Sequence, residues 1–323
     1  MRTLFPRRSL ALVLVIIATT LSGCAGSSPA SDESGKLEGT LTISGAWALY
    51  PMMTRWAEEF QLLHPDVQFD ISAGGAGKGM ADALAGAVDI GMVSRDISPE
   101  EEAKGAFWVA VTKDAVFPMV SAENPVLEDL LSKGVSRQVF TGIFISGEIT
   151  TWGQVVGRAE TGEAIHVYTR SDAAGAPETW AKYLGGKQED LLGIGVFGDP
   201  GLLDAVIKDP LGIGYNNLGY AYDNQSGLPV SGAMVLPVDV DEDGQADPEE
   251  ILETKAEAVE MVATGKYPSP PARALNLVTN GEPSGLAQTF MAWILTDGQE
   301  FVGEAGYVRL SDAQLASELE KVR

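Results

Sequence analysis

The stretch from Ser72 to Ile97 places a strand end, a glycine-rich turn, a helix and a second strand within one short segment. The turn is GGAGKG at 74–79, and glycine lets a backbone turn sharply and approach a ligand closely. Met80, Leu84 and Val88 follow at four-residue spacing, which places apolar side chains on one face of a helix. This order of elements is typical of an α/β protein.

A glycine turn that leads into a helix is also a pattern found in anion-binding sites. The first turn of a helix carries unpaired N–H groups and the positive end of the helix dipole. Arg95 adds a formal positive charge where the next strand ends, so the stretch has the parts of an anion-binding concavity. An ordinary αβ unit with a glycine-rich loop has the same pattern, and the stretch alone leaves both interpretations open.

The segments before this stretch extend the α/β pattern. Leu37–Ser44 alternates as a strand, a helix follows to about His64, and Val67–Ser72 forms a second strand. The order strand, helix, strand, helix, strand predicts a parallel sheet. Ligands collect at the carboxyl ends of such strands, where the loops after Ser44, Ser72 and Val93 are expected to converge.

A second strand–turn–helix unit lies in the middle of the chain. The strand Ile165–Thr169 runs into RSDAAGAP at 170–177, and a helix is predicted over Pro177–Tyr183. Proline is favourable at the first position of a helix, since its missing N–H has no partner there. An arginine, Arg170, again lies beside a glycine turn and a helix start. A solvated or salt-bridged surface role is the alternative for both arginines.

Composition excludes one large class of partner. The chain has 323 residues, 45% of them hydrophobic, and a formal net charge of −23. Nucleic-acid binding depends largely on Lys and Arg meeting phosphates, so no nucleic-acid partner is expected. Any anion site must act locally, against an unfavourable overall field.

The N-terminus predicts export and lipid anchoring. Three arginines among the first eight residues precede the apolar run Leu10–Ala18, the pattern of a secretory signal peptide. Cys24 is the single cysteine and follows Leu-Ser-Gly, which resembles the lipobox of bacterial lipoproteins. We expect a signal peptide at 1–23, a lipidated Cys24, and a small, polar tether to residue 36, which would hold the protein at a membrane surface. An ordinary signal peptide with a chance cysteine is the alternative.

An acidic segment fits the twelve-residue calcium loop of EF-hands. The ligand positions of that loop, with a glycine at the sixth for the sharp turn, correspond here to Asp239, Asp241, Asp243, Gln245 through its carbonyl, Asp247 and Glu250, with Gly244 at the turn. The preceding Met234–Val238 reads as extended, so we predict an EF-hand-like loop with a structural Ca²⁺ rather than a helix-loop-helix. A solvated acidic turn is the alternative.

Seven segments, in order along nearly the whole mature chain, resemble the substrate-binding lipoproteins of phosphate ABC importers, the type II periplasmic-binding-protein family. They are SGAWALYP (44–51), GGAGKGMADALAGAVDIGMVSRDI (74–97), VFTGIFISGEITTWGQV (139–155), YTRSDAAGAPETWAKYL (168–184), DPLGIGYNNLGY (209–220), NLVTNGEP (276–283) and FMAWILTDGQEFVGEAGYVRL (290–310). The resemblance implies an α/β fold of two lobes joined by two hinge crossings. It places the first lobe at 37–117 and 236–323, with the calcium loop at 239–250, and the second lobe at 118–235.

The resemblance also implies a function and a site. An oxyanion, phosphate first among the candidates, would be captured between the lobes and delivered to a membrane permease, and the protein would be an extracytoplasmic, membrane-anchored lipoprotein at the periplasm or cell surface. The site carried over by position comprises Leu49, Tyr50, Ala76, Gly77, Ser94, Arg95, Arg170, Ala174, Gly175 and Ala176.

Four of these positions depart from the family pattern. Leu49, Ala76, Ala174 and Ala176 stand where family members carry hydroxyl side chains. Each hydrogen bond to a charged group contributes about 1.5–3 kcal/mol, so the loss matters unless backbone groups or water replace the hydroxyls. Three interpretations stay open: arginines and backbone suffice for phosphate, the ligand is a different anion or a small organic molecule, or the fold serves a non-transport surface lipoprotein.

An enzyme is not expected. His64 and His166 are the two histidines, one at a predicted helix end and one within a predicted strand. The sequence has no serine in a nucleophile elbow, no HExxH and no clustered Cys or His for zinc. A hydrolase is therefore only a weak runner-up among the classes of function, and a non-transport adhesion or scaffold lipoprotein is the second alternative.

Overall fold

The computed structural model describes residues 36–158 and 162–323, and residues 37–323 form one compact unit. The predicted signal peptide and Cys24 lie outside the described residues. Among those residues, no helix combines the length and the apolar character needed to cross a membrane.

The strands form one large mixed sheet and one two-stranded ribbon. Their bounds are β1 (Glu38–Gly45), β2 (Asp66–Ala73), β3 (Ile90–Val93), β4 (Ala106–Ser121), β5 (Val135–Ser136), β6 (His166–Arg170), β7 (Ile194–Val196), β8 (Gly212–Asn217), β9 (Ala233–Val235), β10 (Val238–Asp239) and β11 (Ala272–Asn280). The large sheet has the order β2-β1-β3-β11-β4-β8-β6-β7, with β9 beside β4, and β10 pairs with β5.

Helices of five to fourteen residues, and one of four, cover the sheet. Their bounds are α1 (Tyr50–Leu63), α2 (Ala76–Leu84), α3 (Pro99–Ala103), α4 (Leu127–Lys133), α5 (Arg137–Thr141), α6 (Trp152–Val156), α7 (Gly175–Tyr183), α8 (Gly198–Lys208), α9 (Leu218–Ala221), α10 (Lys255–Thr264), α11 (Gly285–Ile294), α12 (Glu300–Glu304) and α13 (Asp312–Val322). Short 3₁₀ turns at Trp47–Leu49, Gln188–Asp190 and Asp297–Gln299 and a π-helical turn at Gly142–Ser146 complete the helical elements.

The sheet is parallel at its two ends and antiparallel in the middle. Strand β1 pairs in parallel with β2 and β3, and β6 pairs in parallel with β7 and β8. Strands β4 and β11 run antiparallel to each other, and each runs antiparallel to its other neighbour, β8 and β3. The predicted parallel sheet is thus confirmed for the βαβ units, and the strands that join them make the whole sheet mixed.

Two apolar cores lie on this sheet. The first core is built on β1–β3 and β11, with Trp56 and Phe60 of α1 and Phe290 of α11 among its fully buried side chains. The second core is built on β8 and the second half of β4, and buries Trp152 and Trp180. Aromatic side chains of this size bury large apolar areas, so each core has its own source of stability.

Strand β4 belongs to both cores. Its first half, through Ala115, pairs with β11, and its second half, from Val116, pairs with β8 and β9. Sixteen residues without a break therefore carry the chain from the first core into the second. The chain returns to the first core at the start of β11. Leu275 is the first residue of β11 that is fully buried in that core.

The segment from 236 to 267 packs in the second core. Its buried members are Leu236, Val238, Leu252, Ala258, Val262 and Tyr267. The physical cause is strand pairing and aromatic packing, because β10 pairs with β5 and Tyr267 lies 4.7 Å, ring centre to ring centre, from Phe117. This differs from the predicted division of the chain, which returned it to the first lobe at residue 236.

Candidate functional site

Two helix N-termini, one from each core, face each other across a narrow cleft. Helix α2 begins at Ala76 after Gly75, and α7 begins at Gly175 after Ala174. The N–H of Gly77 donates a hydrogen bond of 3.1 Å to the carbonyl oxygen of Ala173, directly across the cleft. The structure thus brings together the two glycine turns that the sequence singled out.

Glycine is required at two points of this contact. A Cβ at Gly75 would lie 2.6 Å from the carbonyl oxygen of Ala173, and Gly75 has a φ of +92°, which favours glycine. A Cβ at Gly175 would lie 2.1 Å from the carbonyl oxygen of Ser94. A larger side chain at Gly75 would force the two turns apart, and one at Gly175 would push α7 away from the loop after β3.

The first turn of α7 offers unpaired donors to the cleft. Within the described residues, the N–H groups of Gly175 and Ala176 have no acceptor, while that of Ala174 donates to Oε1 of Gln188. Unpaired N–H groups and the dipole of a helix together favour an anion. Because Ala76, Ala174 and Ala176 have no polar side chain and are buried, they can contribute to such a site through the backbone alone.

Arg170 lies at the end of β6 with a side chain that is 1% exposed. Nε and Nη2 donate to the two carboxylate oxygens of Asp172, at 2.8 and 2.5 Å, and Nη1 donates to Asp199. A guanidinium has five N–H groups, so three are used and two remain. Burial lowers the pKa of Arg170, but the Asp199 and Asp172 carboxylates outweigh it and hold the pKa above the ordinary value. Arg170 is therefore a fixed, oriented cation.

Arg95 lies at the rim of the cleft and is engaged there by carboxylates. Its guanidinium pairs with both oxygens of Glu101, at 2.9 and 2.6 Å, and Nε lies 3.2 Å from an oxygen of Glu178 on α7. Next to it, Lys182 of α7 donates to Asp96 at 2.5 Å. In this arrangement Arg95 connects the loop after β3 to α7, and its predicted role as an anion ligand stays a prediction.

The other predicted residues lie in two places, beside the cleft and in the first core. Ser94 is buried beside Gly175, next to the cleft. Leu49 is fully buried in the first core and Tyr50 is partly buried against it, so the side chain of Leu49 serves packing.

Three polar residues of the site went unnoticed in the sequence. Asp172 and Asp199 bind Arg170, and Gln188 donates to the carbonyl oxygen of Asp172 as well as accepting from Ala174. The ion pair between Arg170 and Asp172 could have been predicted, since the two residues are two positions apart in one turn. Asp199 and Gln188 come from separate elements, and nothing local in the sequence marks them.

An aromatic pair closes one side of the cleft. Trp47, after β1, meets Phe197, after β7, edge to face with ring centres 6.1 Å apart. A Cβ at the neighbouring Gly198 would lie 3.2 Å from the Trp47 ring. The two aromatic residues belong to loops of different cores, so they meet only when the cores are close together.

A groove of about 830 Å³ opens beside Arg170. It is lined by Thr169, Arg170, Ala173, Glu178, Lys182 and Gln188, among others. The groove gives solvent a route toward the buried arginine.

The acidic loop that follows β10 has the geometry of a folded loop rather than an open turn. One carboxylate oxygen from each of Asp239, Asp241 and Asp243 lies within 4.8 Å of the others. Asp239 is buried, and its two oxygens accept from the N–H groups of Asp243 and Gly244. Gly244 has a φ of +81°, which is the conformation expected at the sharp turn of a calcium loop.

The far end of the loop folds back on its start. Glu250 accepts from the N–H of Val240 at 2.6 Å and from that of Asp247 at 3.1 Å. A helix, α10, follows the loop and begins at Lys255. The segment before the loop is extended, as β9 and β10, which agrees with an EF-hand-like loop rather than a full hand.

Comparison with known proteins gives one family and a consistent set of relatives. A model of the PBP superfamily domain matches residues 30–298. The phosphate-binding protein PstS of Bacillus subtilis is 28% identical over 309 residues, which covers 93% of this chain and 92% of that protein.

Two solved structures are similar as well. A Clostridium perfringens structure with bound phosphate, assigned as a phosphate ABC transporter substrate-binding protein, has a TM-score of 0.68 and 25% identity, and covers 84% of this chain and 100% of its own. An ABC-type phosphate transport receptor from Vibrio cholerae has a TM-score of 0.61 over the same shares at 20% identity, and supports the fold.

Proposed function

The chain belongs to the PBP superfamily, and on this premise we propose that it is the phosphate-binding component of an ABC importer. The observation that carries the proposal is the meeting of two helix N-termini beside the buried Arg170. The Bacillus subtilis relative is named for phosphate binding, and the Clostridium perfringens structure holds phosphate. The fold, the buried cation Arg170 and the names of the relatives all support an oxyanion as the ligand.

The chemistry of the site compensates for the absent hydroxyls. Two N–H groups of Arg170 remain after its contacts with Asp172 and Asp199, and a guanidinium grips an oxyanion through paired N–H groups. The N–H groups of Gly175 and Ala176 add donors at the positive end of α7. A hydrogen bond to a charged group contributes about 1.5–3 kcal/mol, so a few such donors are enough for tight binding.

Capture is proposed to work as closure of two lobes around the anion. The two cores are the two lobes, and β4 and the start of β11 are the two crossings that act as hinges. An anion bound to Arg170 and α7 also meets α2 of the other lobe, so its binding energy favours the closed form. The closed form would then dock on a membrane permease.

The role is binding rather than catalysis. The relatives are named as binding and transport proteins, and we place this chain outside the membrane, where importers collect their solutes. The lipid on Cys24 would keep it at the membrane surface, in the periplasm or at the cell surface. Cys24→Ala should abolish lipid labelling of the protein, and labelling of the Ala variant would exclude Cys24 as the anchor.

Thermal unfolding at fixed calcium tests the ligand. The purified protein is heated with phosphate, arsenate, sulfate, molybdate or nitrate, because a ligand of the folded state alone adds RT ln(1 + [L]/Kd) to stability, about 2.7 kcal/mol at a hundredfold excess. We expect phosphate to raise Tm. Arg170→Ala should remove the shift, while Arg309→Ala, at an exposed ion pair, should keep it.

Other outcomes of that experiment reassign the ligand. A shift with another anion and none with phosphate would change the substrate but keep the two-lobed capture. No shift with any of the five anions would favour an organic ligand under Trp47 or a surface lipoprotein without transport. An unchanged phosphate shift in Arg170→Ala would remove Arg170 from the site.

We also propose that the loop Asp239–Glu250 binds a structural Ca²⁺. The support is the approach of three carboxylates to within 4.8 Å, the left-handed turn at Gly244 and the return of Glu250 to the start of the loop. Gln245 would contribute its carbonyl and Asp247 a direct or water-mediated oxygen. A single loop without a partner hand fits a structural role rather than a sensing one.

Chelation tests the calcium proposal. Removing Ca²⁺ with EGTA should lower Tm, and Asp239→Ala should lower it at least as much and make it insensitive to EGTA. Asp204→Ala changes an exposed carboxylate on α8 and should respond to EGTA like the native protein. If EGTA leaves the Tm of the native protein unchanged, the loop is a solvated acidic turn without bound Ca²⁺.

A further inference from the structure

Arg273 lies behind the cleft and is bonded to both cores at once. It is on β11, and its side chain is 5% exposed. Nε donates to the carbonyl oxygen of Ser94 at 2.7 Å, and Nη2 donates to Oδ1 of Asn217. Ser94 directly follows β3 of the first core, and Asn217 ends β8 of the second core. One guanidinium therefore links the two strand ends that border the cleft.

On the side of the second core, the link continues to Arg170. The amide of Asn217 donates to Oδ1 of Asp199, and the other oxygen of Asp199 accepts from Nη1 of Arg170. Asp199 is 1% exposed and Asn217 is 2% exposed. A buried carboxylate held from both sides has one orientation, and so has the guanidinium fork that it binds.

On the side of the first core, the link ends at the cleft contact itself. The Ser94 carbonyl that accepts from Arg273 is the atom that limits the approach of Gly175. The next carbonyl, that of Arg95, accepts from Asn276 on the same strand as Arg273. Strand β11 thus fixes the position of the loop after β3, which α7 contacts through Gly175.

Burying Arg273 and its charged neighbours is costly for a purely structural element. Asp114 of β4 lies 3.5 Å from Nη2, and Asp199 of α8, Glu178 of α7 and Arg170 of β6 also act on Arg273. Within the described residues, Nη1 of Arg273 and Oδ2 of Asp114 have no hydrogen-bond partner. Buried ion pairs with unsatisfied atoms are weak contributors to stability, so stability alone does not account for this set.

We infer that Arg273 is a positioning residue that couples closure of the two lobes to the orientation of Arg170. The inference rests on the proposed phosphate function, because it concerns how that site is assembled. Lysine at this position keeps the charge, but its single ammonium on a flexible stem cannot hold Ser94 and Asn217 in the fixed geometry of a planar fork.

The test compares Arg273→Lys with Arg309→Lys, a change at an exposed ion pair. Phosphate affinity is measured by titration calorimetry, and closure by the decrease of the small-angle X-ray scattering radius of gyration on adding phosphate. We expect Arg273→Lys to keep the native circular dichroism, to bind phosphate at least tenfold more weakly and to lose part of the closure. Arg309→Lys should match the native protein in both measurements.

Asn217→Ala is the second variant, because it cuts the link between Arg273 and Arg170 and leaves the bond to Ser94. It should weaken phosphate binding by a similar factor, and the double variant should bind no more weakly than either single one. Native affinity and closure in Arg273→Lys, or losses that multiply in the double variant, would overturn the inference. If Arg273→Lys does not fold, the affinity of Asn217→Ala decides. A native protein that fails to bind phosphate would refute the proposed function and this inference together.

Discussion

Arg170 and Gly175 show how single residues define the cleft. The guanidinium of Arg170 is buried and oriented by Asp172 and Asp199, so it would meet the proposed anion with little loss of side-chain freedom. Gly175 leaves the space that lets α7 approach Ser94. Arg170 supplies the positive charge, and Gly175 allows the close contact between α7 and Ser94. Separate mutations can test the two contributions.

Gly175→Ala should weaken phosphate binding by about fivefold or more. The added methyl would lie 2.1 Å from the Ser94 carbonyl oxygen, and overpacking of this kind costs about 1–3 kcal/mol, here on the closed form. Gly303→Ala is the matched control, since nothing lies within 4 Å of a Cβ at that position. Calorimetric titration with phosphate compares the variants, and equal affinities would show that the Gly175 contact does not limit closure.

The buried carboxyl group of Asp114 should make the stability of the protein depend on pH. Burial raises its pKa from the ordinary 3.8 to about 6, with Arg273 opposing the shift. Since the folded protein binds this proton more tightly than the unfolded chain, Asp114 contributes stability below about pH 4 that is lost as pH rises to about 6.

The Asp114→Asn variant isolates that contribution. The unfolding free energy of the native protein minus that of the variant should fall by about 2 kcal/mol between pH 4 and pH 7, at about 1.4 kcal/mol per pKa unit. Urea unfolding at both pH values, with calcium saturating, measures the difference. A difference that is flat or grows with pH would refute the assignment.

At the scale of elements, one face of α7 is fastened to the loop after β3. Glu178 and Lys182, one helical turn apart, pair with Arg95 and Asp96. Burial raises the pKa of Glu178, although Arg95 opposes the shift. These ion pairs connect the two cores, so in the proposed capture they would favour the closed form independently of the anion.

Lys182→Glu should weaken phosphate binding by a factor of about two to ten. Lys182 and Asp96 are 60% and 80% exposed, and exposed ion pairs contribute only about 0.2–1 kcal/mol, to which the introduced repulsion adds. Lys208→Glu, at an exposed pair on α8, is the control. Adding Asp96→Lys to Lys182→Glu should restore most of the affinity, and failure to do so would mean that Lys182 acts on the anion directly.

The elements were largely predictable because their signals are local. The second strand within Ser72–Ile97, the helix that ends near His64 and the two glycine turns were predicted from spacing and turn residues, and the structure confirms them. The α/β periplasmic-binding-protein fold, predicted from seven ordered segments, is confirmed by the family match and the similar structures.

What the sequence did not reveal depends on tertiary contacts. Asp199 binds Arg170 from 29 residues away, and Arg273 binds Ser94 from 179 residues away. No periodicity encodes such pairs. Leu49 fitted the site by position, but its buried side chain belongs to the first core. The segment 236–267 joined the second core because of a two-residue strand pairing, too short to predict.

For the whole molecule, the formal net charge of −23 opposes the proposed ligand. An anion approaching this protein is repelled at long range and attracted only near Arg170 and the helix N-termini. Salt screens the long-range part, since the Debye length falls from about 30 Å at 0.01 M to about 8 Å at 0.15 M.

The association rate of phosphate should therefore rise with NaCl concentration over that range. Stopped-flow tryptophan fluorescence provides the measurement, because Trp47 meets Phe197 across the cleft. Lys208→Glu, remote from the cleft on α8, should make the rise slightly steeper. A rate that falls with salt would mean that the local positive field extends beyond the cleft and guides the anion in.

Strand β4 has a consequence for how the molecule can be divided. Its sixteen residues pair with β11 on one side of Ala115 and with β8 on the other, and β11 begins only at Ala272, in a distant part of the chain. A fragment carrying either core alone would end in half a strand with its backbone edge exposed, the kind of edge that promotes aggregation. Expression of the lobes as separate fragments should therefore yield insoluble protein, and fusion partners or permuted termini belong at exposed turns, outside β4.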